Sequence, residues 1–214
     1  TILEENLTVK LHVGFAEVNQ TYQIQNALEN EQIIKIGFSY FQTNKNNGVD
    51  NIAAFSGSTP LELTSAQEVI EGKQLQWKYF TLSFNPNEIK SITLSHWQLN
   101  GANLGGLRTF DYQLSGKNHI IGKLNIRLIL GDQITAGSFS KTLSPNLDLN
   151  LNPVGAKTQG NELVWNFENI DPAFDLKANF YWPNGDLVKI SHLDKSLALY
   201  DVIAPNNESA SELA

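Results

Sequence analysis

The stretch Leu7-Thr8-Val9-Lys10-Leu11-His12-Val13 puts Leu7, Val9, Leu11 and Val13 in one phase and Thr8, Lys10 and His12 in the other. Successive side chains of an extended backbone point to opposite faces, so this alternation is that of a half-buried strand and not of a helix. The same period continues outward. Val18, Tyr22 and Ile24 alternate with Glu17, Asn19, Thr21, Gln23 and Gln25, and Ile34, Ile36, Phe38 and Tyr40 repeat the pattern beyond the polar turn Glu29 to Glu31. These two segments read as a hairpin.

Further strands are expected at Ile52 to Phe55, Leu61 to Thr64, Leu75 to Phe84, Ile89 to Leu99 and Thr109 to Leu114, with Gly, Pro and Asn clusters between them. Asn85-Pro86-Asn87 reads as a hairpin tip joining two of them. Leu124, Ile126, Leu128 and Leu130 carry the pattern onward, followed by segments at 139–143, 147–151, 163–167 and 176–182. Ser65 to Gly72 is the one short helix candidate, because Ala66, Gln67, Glu68 and Glu71 favour it and Gly72 ends it. The expectation is an all-β chain of antiparallel β-sandwich architecture in two tandem sheet domains, 1–115 and 116–200, with a tail or linker at 201–214. A continuous two-sheet body is the alternative.

The 214 residues contain no cysteine and no methionine, and the sequence begins at Thr1. That is the composition expected of a processed or excised chain in an oxidising compartment, where thiols and thioethers are liabilities, so a secreted or periplasmic location is expected. Without cysteine there is no disulfide framework, no thiolate metal site and no cysteine nucleophile. The formal charge of -7 leaves no cationic surplus for phosphates, which argues against nucleic acid as a partner. The apolar runs are far shorter than the roughly 20 residues that span a bilayer as a helix.

Several segments in serial order carry a likeness to a known family. They are Glu5 through Leu11, Val18-Asn19-Gln20-Thr21-Tyr22-Gln23-Ile24-Gln25-Asn26, Ile34-Lys35-Ile36-Gly37-Phe38, Phe110-Asp111-Tyr112-Gln113-Leu114-Ser115-Gly116, Ile121-Gly122-Lys123-Leu124 and the late run from Trp165 to Leu176. Together they resemble a DUF4424-like family of secreted bacterial proteins of unknown function, over most of residues 5 to 180. The resemblance implies a signal-bearing exported protein and brings no catalytic residues to carry over.

The residues themselves offer little chemistry. His12, His96, His119 and His192 form no His-x-His pair and no His-Glu-x-x-His spacing. Ser95-His96 and Ser191-His192 are neighbours, and neighbours on a strand face opposite ways. Asn44, Asn46, Asn47 and Asp50 around Gly48 are a weak oxygen-rich candidate for calcium; Asp148, Asn150 and Asn152 are a weaker one. Both read better as Asn-rich turn and strand residues, so no metal or other cofactor is expected.

Aromatic residues give the sharper expectation. Trp77 and Tyr79 share one face of their strand while Phe80, Leu82 and Phe84 occupy the other. Trp97 shares its face with Ser91, Thr93 and Ser95, opposite the apolar Ile92 and Leu94. If the two strands pair across the Asn85 to Asn87 turn, Trp77, Tyr79 and Trp97 form one patch able to stack on a sugar or anchor a protein; the competing reading is a cross-strand packing cluster. The function expected is a non-enzymatic exported protein that binds an envelope protein, a glycan or itself. The alternatives are an assembly subunit that donates its N-terminal strand to a neighbour's sheet and a hydrolase of an envelope polymer.

Overall fold

The computed structural model describes residues 1–41, 48–70, 73–102, 106–114, 120–131, 134–135, 138–139 and 150–182, with backbone alone for 39–41, 70 and 73–74. Its framework is one large sheet whose strands run, in order, β13 (Lys157–Gln159), β14 (Glu162–Ile170), β11 (Ile121–Leu130), β1 (Ile2–Leu11), β2 (Phe15–Gln25), β8 (Ile89–Leu99), β4 (Val49–Ser56) and β5 (Thr59–Pro60). Two smaller sheets accompany it. One is four-stranded, in the order β12 (Leu151–Asn152), β15 (Leu176–Tyr181), β10 (Leu107–Tyr112), β9 (Gly101–Ala102); the other is three-stranded, in the order β3 (Gln32–Phe41), β7 (Lys73–Phe84), β6 (Thr64–Ile70).

The period-two pattern explains the layering. Leu7, Val9 and Leu11 of β1, Ala16 and Val18 of β2, and Leu124, Ile126 and Leu128 of β11 are buried in a single cluster with Phe110, Tyr112, Leu176, Ala178 and Phe180 of the four-stranded sheet. A second cluster joins Tyr22, Ile24, Ile92 and Leu94 of the large sheet to Phe80 and Phe84 of the three-stranded one. The two small sheets therefore share the same inner face of the large sheet, and Ile2 and Phe38 pack against both clusters. Sandwiched apolar faces of this kind supply most of the folding free energy.

The all-β architecture expected from the sequence is what the chain adopts, and the division at residue 115 is not a break in it. β1 and β11, from opposite sides of that division, lie side by side in parallel register from Ile2↔Ile121 to Leu11↔Leu130. β10 likewise pairs with β15, from Leu107↔Tyr181 to Tyr112↔Leu176. The body is thus continuous, and among the described residues it contains one parallel pair beside antiparallel ones. At the head of that pair Gly122 permits a close approach, since a Cβ there would lie 2.5 Å from the Leu3 carbonyl oxygen. Residues 115–119 and the tail 201–214 lie outside the described residues.

Three local expectations are corrected. β2 and β3 are not a hairpin: β2 pairs with β1 and β8, while β3 pairs with β7. β7 and β8 also fail to pair, so the Asn85-Pro86-Asn87 turn passes from one sheet to another; Asn87 takes φ 59°, the left-handed conformation that Asn tolerates. The buried Asn26 side chain ties the two crossing turns together. Its amide donates to the carbonyl oxygens of Asn30 at 2.8 Å and Asn85 at 3.0 Å, and its own carbonyl accepts from Leu28 N–H at 3.1 Å. Finally, the helix candidate Ser65 to Gly72 is strand β6 over its first six residues, paired with β7 from Thr64↔Tyr79 to Ile70↔Lys73. A ladder of backbone hydrogen bonds outweighs a few tenths of a kcal/mol per residue of helix propensity.

Candidate ligand-binding site

The outer face of the large sheet is mostly polar, and Trp97 lies in an apolar strip of it with Phe15, Val49 and Leu99. On β8 the outward side chains are Ile89, Ser91, Thr93, Ser95, Trp97 and Leu99, with Ile92, Leu94 and His96 turned inward. The indole is 50% exposed, and the Phe15 ring lies 5.7 Å from it, centroid to centroid. Registers place two rows across the neighbouring strands. Lys10, Glu17 and Trp97 stand opposite one another, and so do Thr8, Asn19 and Ser95. These residues line a depression of about 300 Å³, and Trp97 with Phe15, Val49 and Leu99 borders a second, more apolar one of about 510 Å³.

The charged groups here answer one another. His12 Nε2 lies 2.8 Å from Glu17 Oε1, its ring stacks on Phe15 at 4.4 Å, and Lys10 Nζ is 3.9 Å from the same carboxylate oxygen. On the far side of Trp97, β4 is irregular. Asp50 stands opposite Trp97 and Ala53 opposite Ser95, so β4 carries one extra residue there. Within that bulge Asn51 takes φ 53°, and its N–H donates to the Asp50 carboxylate at 2.7 Å. Bulges bend a strand and re-aim its side chains, and non-glycine residues in this region cost free energy that the surrounding structure must offset.

The expected patch of Trp77, Tyr79 and Trp97 does not assemble. Phe80, Phe84, Ile92 and Leu94 share one core cluster, so the faces bearing Trp77 and Tyr79 on β7 and Trp97 on β8 point away from that core on different sheets. Trp77 instead lies against Gly37 of β3, where a Cβ would be 3.3 Å from its ring, and Lys35 Nζ sits 3.6 Å from the Tyr79 ring centroid. Both rings pack against their own sheet. Of the calcium candidates, Asn44, Asn46 and Asn47 lie outside the described residues, and Asp50 is engaged by Asn51 N–H. Asn150 and Asn152 donate to the carbonyls of Phe139 (2.9 Å) and Asp175 (2.7 Å), and Asp148 is not described. Among the described residues no group of three or more His, Asp or Glu side chains is placed to hold a metal ion. The N-terminal strand is likewise not a free donor for a neighbour's sheet, because β1 is paired along both edges within its own chain.

A second polar cluster was not anticipated. Glu5 of β1, Gln20 of β2, Tyr112 of β10 and His96 of β8 are all buried, where the two core clusters meet. The Gln20 amide donates to Glu5 Oε1, and Tyr112 O–H donates to Gln20 Oε1 at 2.7 Å. Among the described residues, Glu5 Oε2 and His96 Nε2 have no hydrogen-bond partner. The His96 ring packs between Phe38 at 4.7 Å and Tyr112 at 5.7 Å. Burial raises the Glu5 carboxyl to about 7, against the lowering effect of the Gln20 bond, and burial lowers His96 to about 4. The Tyr112 hydroxyl is raised by burial and then by the Glu5 charge. The signal was in the sequence: Glu5 is in phase with Leu7, and His96 with Leu94. Sealed from solvent, this cluster tunes stability and offers no surface to a ligand. His119 and His192 lie outside the described residues.

Among the described residues no helix is long and apolar enough to cross a membrane. No family model matches the chain, and no curated protein matches it. Among solved structures it is similar to a Legionella pneumophila protein provisionally described as nutrient binding, at 14% identity and TM-score 0.68, covering 94% of this chain and 77% of that one. It also aligns with yeast LTA4 hydrolase, at 8% identity and TM-score 0.47, and with an M1 zinc metallopeptidase from Deinococcus radiodurans, at 10% and 0.40. The chain spans 29% and 41% of the length of those two enzymes. The likeness to the Legionella protein is one of fold.

Proposed function

We propose that this chain is an exported, non-enzymatic β-sandwich protein that binds an envelope or extracellular component through the outer face of its large sheet around Trp97. The observation that carries the reading is the half-exposed indole beside Phe15, set into a mostly polar face next to a bulged strand. An exposed aromatic ring gives up water-facing apolar surface only when a ligand or partner covers it, which makes such a ring an anchor. The absence of cysteine and methionine from the whole sequence and the fold shared with a protein described as nutrient binding support the same reading.

Trp97→Ala is expected to cost about 1–2 kcal/mol of stability, less than the roughly 3–5 kcal/mol of a fully buried aromatic, because half of the ring already faces water. The test is a thermal-shift screen of wild type and Trp97→Ala against oligosaccharides, short peptides, amino acids and nucleosides. A ligand present at 100 times its Kd stabilises the native state by about 2.7 kcal/mol, which a melt resolves. Compounds that raise the wild-type Tm and leave the variant unmoved support the proposal. A set of stabilising compounds that act equally on both proteins, or no stabilising compound at all, counts against it.

A further inference from the structure

From the chemistry around Trp97 we infer the class of ligand, an inference that rests on the binding role proposed above: the site takes a neutral oligosaccharide. Trp97 supplies an exposed, apolar π-face, the surface on which the C–H face of a pyranose ring stacks. The adjoining row is Thr8, Asn19 and Ser95, one residue from each of three neighbouring strands and so repeating at the strand spacing of about 4.8 Å. Among the described residues none of these three side chains makes a hydrogen bond, so two hydroxyls and an amide stand available as donors and acceptors next to the indole. That combination matches a ligand with one apolar face and an edge of hydroxyls.

Charge selects against the other classes. Lys10, the cation among the described residues that line the depression, stands beside the Glu17 carboxylate that His12 also contacts, so little net positive charge faces a carboxylate, sulfate or phosphate, and the chain as a whole carries -7. A peptide adding itself as a strand needs a long open edge. Beside Trp97 the edge is that of β4, of which β5 covers only Phe55 and Ser56, and the bulge between Asp50 and Ala53 interrupts the regular run along which such a peptide would pair. The bulge of β4 adds a shaped wall: Asn51, held in the left-handed region by Asp50, borders the same depression as Trp97 and Asn19. The remaining side of Trp97 is the apolar surface of Val49 and Leu99, against which a second sugar unit would lie.

Isothermal titration with maltohexaose, cellohexaose and chitohexaose, and with an oligouronate of the same length as the acidic control, tests the inference on the full chain. Saturable binding of at least one neutral sugar is expected, weakened at least tenfold by Trp97→Ala and about three- to tenfold by Asn19→Ala or Ser95→Ala. The oligouronate should bind more weakly than its neutral counterpart at low salt. The inference is overturned by the absence of saturable heat with all three neutral sugars, by unchanged affinity in Trp97→Ala, or by preference for the oligouronate. A peptide or nucleoside that stabilises wild type and not Trp97→Ala would overturn the sugar while leaving the binding role standing, so the two failures are distinguishable.

Discussion

Glu5→Gln is expected to raise the free energy of unfolding by about 2–3 kcal/mol at pH 8 and to leave it almost unchanged near pH 4.5. Burial lifts the Glu5 carboxyl from an ordinary 4.5 to about 7 in the fold. Between those two values the native state holds a proton that the unfolded chain has released, so stability falls as pH rises through the window. The full effect of such a shift is about 3 kcal/mol, of which the glutamine recovers most, because it stays neutral and keeps the oxygen that accepts from Gln20. His96 works in the opposite sense. Its imidazole falls from 6.5 to about 4, so between pH 4 and 6.5 the unfolded chain binds the extra proton and stability climbs with pH. In the wild type the two slopes oppose each other over roughly pH 4.5 to 6.5. Glu5→Gln should leave only the rising slope, and His96→Phe, which keeps a ring beside Phe38 and Tyr112, only the falling one. Urea melts of the three proteins at pH 4, 5, 6.5 and 8 read this directly. Parallel profiles for wild type and Glu5→Gln would show that Glu5 is not buried as described.

The second large effect follows from the continuity of the sheet. Phe110→Ala removes a fully buried ring that packs among residues of β1, β11 and β15, and should cost about 3–5 kcal/mol. A fragment ending at residue 115 should not fold at all. It would strip β11 from one edge of β1 and β15 from one edge of β10, exposing apolar side chains and two rows of unpaired backbone groups at once. Circular dichroism and amide dispersion of the 1–115 fragment check this. A cooperative melt from that fragment would restore the tandem division at residue 115 and contradict the single body.

Strands were legible because period-two alternation is a local property, read residue by residue from Leu7 to Val13 and from Leu124 to Leu130. Their partners were not, because alternation says which face a side chain takes and nothing of which strand lies beside it. Short polar turns usually join neighbours in a sheet, which is why 29–31 and 85–87 read as hairpins. Both cross to another sheet instead, and they are held together by a long-range contact that no local pattern encodes, the Asn26 amide donating to the carbonyls of Asn30 and Asn85. The Trp97 face was half legible. Its position opposite Ile92 and Leu94 follows from the alternation, whereas its row-mates Thr8 and Asn19 come from strands distant in sequence. Glu5 falls in the apolar phase of Leu7, Val9 and Leu11 and is buried, a polar residue that the period itself marks.

The proposed working surface of this protein is the outer face of the large sheet around Trp97. Amide and indole chemical-shift mapping during titration with the neutral hexasaccharides tests it most directly. The Trp97 indole signal is expected to move together with the amides of Thr8, Asn19, Asn51 and Ser95, along one saturation curve. Shifts centred instead on Trp77 and Tyr79 of the three-stranded sheet, or an outer face that stays silent at saturation, would contradict it.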